Sequence, residues 1–223
     1  APVVSFTTSV TVSQLRKSVE VNQAPTKFGN APDGPSAQTQ DILTLAWTNT
    51  TPVKRYDYND YIFQTALGTD NTVSVSGGKD KTKYYTSASY FFNQGIIKNT
   101  DFRRFSFRSN IDANITKNLK VGLYLSGRQE DRVYPIAGAG DIFRSIYRAY
   151  ATIPAVYPNG LPSIGIEGNN PVMMATDKGG LNRNPTQVFN GILKGSYNIA
   201  SVKGLSIDGF MAFDKSWSFS KAF

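Results

Sequence analysis

From Asp101 to Ile115 the chain reads DFRRFSFRSNIDANI, with apolar side chains on alternate positions. In an extended strand Phe105, Phe107, Ile111 and Ile115 share one face, while Arg104, Arg108, Asn110 and Asp112 share the other. A period of two marks a β-strand with one apolar and one polar side. The same alternation occurs in VVSFTTSVTVS (3–13), where Val4, Phe6, Val10 and Val12 oppose Ser5, Thr7, Ser9, Thr11 and Ser13. It returns in TVSVS (72–76), TKYYTSASYFF (82–92), LKVGLYLSG (119–127), QVFNGILKGSYNI (187–199) and GLSIDGFMAFDKSWSF (204–219), which makes about seven strands. Gly77, Gly78, Lys79 and Asp80 predict a hairpin turn, since glycine readily supplies positive φ. TKN and ASVK predict two further short turns.

The connections differ sharply in length. From Gln14 to about Asp57 the pattern dissolves into Pro, Gly, Asn, Gln and Thr, which predicts a long loop. YDYNDYIFQTAL predicts a short helical or irregular element, and NQGIIKNT a medium loop. A second long connection covers 129–185. Within it, DIFRSIYRAYA (141–151) spaces Ile142, Ile146 and Tyr150 at i, i+4 and i+8, which predicts a short amphipathic helix with Asp141 as N-cap. IPAVYPNGLPSIGIEGNNP is rich in Pro, Gly and Asn and predicts loop. Connections thus run long, short, medium, short, very long, short. This parity is expected when tight turns line one rim of a sheet and extended loops the other.

Two architectures fit the alternation. In a closed transmembrane barrel the polar face lines a lumen. In a soluble β-sandwich, a secreted or cell-surface binding or adhesin module, it meets water instead. Soluble strands usually have about 5 or 6 residues, whereas strands that cross a bilayer at a tilt have about 9 to 11. Strand length and loop parity therefore favour the barrel. Tyr90, Phe92, Phe105, Phe107, Phe213, Trp217 and Phe219 on the apolar faces would then form an interfacial girdle.

Composition narrows the chemistry. The formal charge of +8 is spread along the chain without a basic block, so nucleic-acid binding has no sequence motif to support it. The chain contains no Cys and no His, which removes disulfides, thiolate nucleophiles, imidazole catalysis and His-based metal sites. Its 16 Asp and Glu sit mostly in turns or beside Lys and Arg, as on solvated faces. SVSGG and IAGAGD lack the Lys-Ser/Thr pair and the strand-to-helix context of a phosphate loop. We therefore expect a non-enzyme, with no catalytic, metal-binding or cofactor-binding residue and no cofactor. No apolar run is long enough for a membrane helix, and APVVSFTTSV lacks the pattern of a signal peptide.

The stretch from Asn71 to Arg132 strongly resembles the early barrel strands of the SusC/RagA family of TonB-linked outer membrane transporters of Bacteroidetes. The resemblance is carried by SVSGG at Ser74–Gly78, the Tyr84–Tyr90 strand, QGIIKN at Gln94–Asn99, DFRRF at Asp101–Phe105, RSNID at Arg108–Asp112 and KVG at Lys120–Gly122. It extends over Tyr56–Phe223, with YPNGLP, NNPV and KGLSIDGFMAFDKSWSFSK as further family-like pieces. It implies an all-β fold, an antiparallel transmembrane β-barrel segment of about seven strands from a larger plugged barrel. Residues 1–70 would hold a first strand and a long loop near the plug/barrel junction, and 71–223 the early barrel strands with an extracellular loop at 129–185. The implied function is TonB-dependent import of glycan oligosaccharides or peptides across the outer membrane. The implied partners are a SusD-like surface lipoprotein, the TonB–ExbB–ExbD complex acting on parts outside this chain, and outer membrane lipid. Tyr134, Tyr147, Tyr150 and Tyr157 would either offer platforms to a sugar or to the lipoprotein, or pack the loop against the rim. The substrate-binding residues are left unknown.

Overall fold

The computed structural model describes residues 1–17, 56–149, 153–165, 169–202 and 204–223, and one antiparallel sheet runs through most of them. Its strands are β1 (Val3–Ser13), β2 (Ala66–Lys79), β3 (Thr82–Gln94), β4 (Asp101–Asn114), β5 (Leu119–Pro135), β6 (Leu181–Arg183), β7 (Thr186–Asn198), β8 (Ser206–Ser218) and β9 (Lys221–Ala222). Among the described residues three short α-helices join them: α1 (Asn59–Ile62), α2 (Ala139–Arg148) and α3 (Pro171–Ala175).

The pairing is an up-and-down meander, with β1 on β2, β2 on β3, β3 on β4, β4 on β5, β5 on β7 and β7 on β8. β6 and β9 extend β7 and β8. The pairs Val133–Arg183 and Glu130–Thr186 keep one offset across Asn184 and Pro185, and proline has no N–H to give to the ladder. Seven long strands result, as the alternation predicts. Among the described residues no second sheet packs against this one, so the sandwich alternative has no partner layer.

Register carries the alternation across the whole sheet. One ladder row joins Tyr84, Ile111, Leu123, Leu193 and Met211, all on the apolar face. Another joins Ser74, Ser87, Arg108, Ser126, Asn190 and Asp214 on the polar face. Tyr90, Phe92, Phe105, Phe107, Phe213 and Trp217 all fall on the apolar face, while Phe219 follows the end of β8. The apolar face is not covered: Val10 is 74% exposed and Met211 71%. Of the buried hydrophobic residues among those described, only Ala66 lies in a strand. An apolar sheet face of this size, left uncovered in water, would be an aggregation surface, and it is stable when lipid is its solvent.

Tight connections at Asp80–Lys81, 115–118 and 199–205 lie at one rim, and the 95–100 and 136–180 connections lie at the other. Three local expectations are corrected. Gly77 and Gly78 are not turn residues: they pair with Tyr84 and Lys83 inside the hairpin, and the positive φ (41°) belongs to Asp80. β4 ends at Asn114, so Ile115 sits in the turn, its N–H donating to the Leu119 carbonyl. Helix α2 begins at Ala139 with Gly138 as N-cap, which places Asp141 in the first turn, ion-paired to Arg144. Tyr150, and residues 18–55 of the first long loop, lie outside the described residues.

The hairpin glycines serve clearance. A Cβ on Gly77 would stand 2.7 Å from the Tyr84 hydroxyl, and one on Gly127 would run into the ring of Phe107, its partner across β4 and β5. Phe107 in turn stacks toward Phe189, with ring centroids 6.5 Å apart, and Phe189 toward Phe213 at 6.4 Å. Gly127→Val is therefore expected to displace the first ring of this row and destabilise the full-length protein by about 1–3 kcal/mol. Urea unfolding of the lipid-reconstituted protein measures it, and an unchanged midpoint would show that the ring does not depend on the gap.

Candidate functional site

The packed core lies at the loop rim. Ile142 and Ile146 project from α2 and pack with Tyr58, the residue before α1, Ile62 from α1, Ile97 from the β3–β4 connection, and Val172 and Ala175 from α3. Phe63 adds a bridge to Ile97 and a ring contact to Phe143, with centroids 5.6 Å apart. Connections that would otherwise be independent loops thus form one cap over the strand ends.

Asn170 is the tie within that cap. It is 2% exposed. Its side-chain oxygen accepts from the Val172 and Met173 N–H groups and caps α3, while its amide donates to the carbonyls of Ala155 (2.9 Å) and Ser163 (2.8 Å). Tyr58 is the second buried polar anchor, donating its hydroxyl to the Ile153 carbonyl at 3.0 Å. Burial pushes its phenol up to about 12. The folded value is raised above the ordinary 10, so this contribution is complete below pH 10 and is lost as pH rises through 12. Subtracting the alkaline phenolate titration of Tyr58→Phe from that of the native protein should leave one group with a midpoint near 12. A difference midpoint near 10 would contradict the burial.

The polar sheet face is the second surface. Arg104, Arg108, Arg128 and Arg132 come together on β4 and β5, with the Arg128 guanidinium 3.1 Å from Glu130. A depression of about 250 Å³ lies among Ser87, Ser89, Ser106, Arg108, Ser126 and Arg128. Toward the tight turns a larger one, about 820 Å³, is edged by Lys83, Lys120, Lys194, Asp112 and Asp208. These groups suit a hydrated interior. Among the described residues there is no cluster of carboxylates that could hold a metal ion.

The four tyrosines separate. Tyr134 belongs to β5 and accepts from the Asn184 amide at 2.7 Å, so it fastens the strand ends together. Tyr147 (65% exposed) and Tyr157 (40%) stand open on the cap, and Tyr150 lies outside the described residues. Sequence reasoning missed Asn170, whose neighbours Pro171 and Val172 supply the only local signal, an Asn-Pro helix start.

This geometry defines a class: a segment of barrel wall with an apolar outer face, a polar inner face and a folded cap on one rim. No protein-family model matches the chain. It is 34% identical over 131 residues to TonB-dependent receptor P3 of Formosa agariphila, a match covering 54% of this chain and 13% of that protein. It is 42% identical over 55 residues to the TonB-dependent receptor SusC of Bacteroides thetaiotaomicron, covering 25% of this chain and 6% of that protein. Among solved structures it superposes on the RagAB peptide transporter with a TM-score of 0.71 at 18% identity, covering 100% of this chain and 29% of the other. The chain is SusC/RagA-like, similar in sequence to part of TonB-dependent receptors and in fold to part of the RagAB transporter, and its place is the outer membrane. It spans only a small part of the curated relatives that it matches.

Proposed function

We propose that the chain contributes wall and extracellular cap to a TonB-dependent importer that carries a nutrient, a glycan oligosaccharide or a peptide, across the outer membrane. The observation that carries this reading is the register: along the middle of the seven long strands the apolar side chains gather on one face and the charged and hydroxyl side chains on the other, as in a sheet that separates lipid from water. Residues 1–70 lie at the plug/barrel junction and 71–223 supply the early strands. A SusD-like lipoprotein closes over the loop rim, where Tyr147 and Tyr157 are exposed on the cap. TonB–ExbB–ExbD supplies the work through parts outside this chain. No bond is made or broken by the wall, and the protein is a transporter with no catalytic residue.

The test is recovery from native cells. The protein should be found in the outer-membrane fraction as a species several times heavier than 24.5 kDa, held in detergent with a lipoprotein, and its deletion should abolish growth on one oligosaccharide or peptide source. A soluble 24.5 kDa monomer would overturn the proposal.

A further inference from the structure

Near the loop rim the polar face carries two guanidinium–phenyl stacks side by side. Arg104 lies over Phe91, with Cζ 5.3 Å from the ring centroid, and Arg132 lies over Phe102 at 5.5 Å. Each stack is a directly opposed cross-strand pair, Phe91 with Arg104 and Phe102 with Arg132. The two rings meet edge to face, with centroids 5.9 Å apart. One three-strand frame, β3–β4–β5, therefore holds both cations.

What these cations lack is an acid. Glu130 stands directly opposite Arg104 but is engaged by Arg128, and Asp70 lies on β2, beyond Phe91. Among the described residues neither Arg104 nor Arg132 is in ion-pair contact with a carboxylate. The contrast with the apolar face at the same rim is direct: there Arg103 pairs with Asp101, and Arg183 holds Asp131 with two guanidinium nitrogens. A guanidinium held over a ring keeps its N–H donors at its edge, already oriented and free for a planar or tetrahedral oxyanion. Ring contact also removes rotamer freedom that a free arginine would lose on binding.

We infer that Arg104 and Arg132, held on Phe91 and Phe102, form an oxyanion-binding subsite at the lumen mouth, and that the imported solute bears a carboxylate. This rests on the assignment of the polar face to the lumen. The four arginines of β4 and β5 give that stretch of wall an excess of positive charge, which concentrates anionic solutes at the entrance.

The experiment uses the full-length receptor in detergent and two probe pairs that differ chiefly in charge: trigalacturonate against its methyl ester, and a glutamate-containing tetrapeptide against its near-isosteric glutamine analogue. Calorimetry on the native protein should show at least about a tenfold preference for the acid member of one pair, a preference weakened by salt. In Arg104→Gln/Arg132→Gln that preference should fall to within about twofold, and the single Arg132→Gln should already cut it by about threefold, with a melting temperature reporting the fold of each variant. The inference is overturned if neither acid is preferred, or if the preference survives in a folded variant, in which case the arginines serve the plug or the wall. Failure here is distinct from failure of the import reading, which is judged by outer-membrane recovery, the lipoprotein and growth.

Discussion

Ile111→Lys should destabilise the full-length, lipid-folded protein by about 2–4 kcal/mol, the cost of a lysine on the lipid side at midplane depth. Ile111 lies in an apolar row with Leu123, Leu193 and Met211, so the ammonium would have lipid on one side and no acid among those row partners. The comparison that gives the number its meaning is one residue away. Asn110 points to the opposite face, where Tyr85 and Tyr124 are its cross-strand partners and Asp112 follows two residues on. Asn110→Lys should therefore change stability by no more than about 0.5 kcal/mol, as at an ordinary solvated position. Reversible urea unfolding in lipid vesicles measures both. Equal costs at the two positions would mean that the sheet does not separate two solvents.

The second large effect is local. Asn170→Ala removes the cap of α3 and leaves the Ala155 and Ser163 carbonyls without their side-chain donor inside the rim core. A lost N-cap costs about 1 kcal/mol and a buried unsatisfied carbonyl about 1–3 kcal/mol, so the cap should loosen by about 3 kcal/mol in total. The sheet should be unaffected, because its ladders do not pass through Asn170. Hydrogen exchange should then accelerate in 153–176 and remain slow in β3, β4 and β5. Uniform acceleration would show instead that cap and wall open together. Asn170→Asp is a useful companion: it keeps the acceptor that caps α3 but loses the amide donors, and should lie between the two.

The wall was legible in the sequence because its two faces meet different solvents, and period-two alternation records that difference directly. β5 shows where the signal stops. Its alternation is clear from Leu119 to Leu125, but the strand continues to Pro135 through Arg128, Gln129, Glu130, Asp131 and Arg132, polar on both faces. A strand that enters the interfacial region meets polar groups on both sides and no longer writes a clean apolar row, so the alternation stops marking β5 at Gly127. The hairpin glycines misled for another reason. Clearance for a ring on the neighbouring strand and freedom for a turn both require glycine, and only the register of Gly77 against Tyr84 tells them apart. The rim core was the least legible part. Tyr58, Ile97, Ile146 and Val172 are far apart in sequence, and only the helix at Ile142 and Ile146 leaves a periodic trace. The stacks of the polar face were hidden because Phe91 and Phe102, read in isolation, look like further members of the apolar set.

The measurement that tests the central claim most directly is a nitroxide scan of Arg103 to Asn114 in the full-length protein, reconstituted in lipid, with oxygen and a water-soluble nickel complex as collision partners. Oxygen accessibility should peak at 105, 107, 109, 111 and 113, the positions on the apolar face, and fall at 104, 106, 108, 110 and 112. A scan without a period of two, or with oxygen maxima on the even positions, would contradict a wall that turns Phe105, Phe107 and Ile111 to lipid.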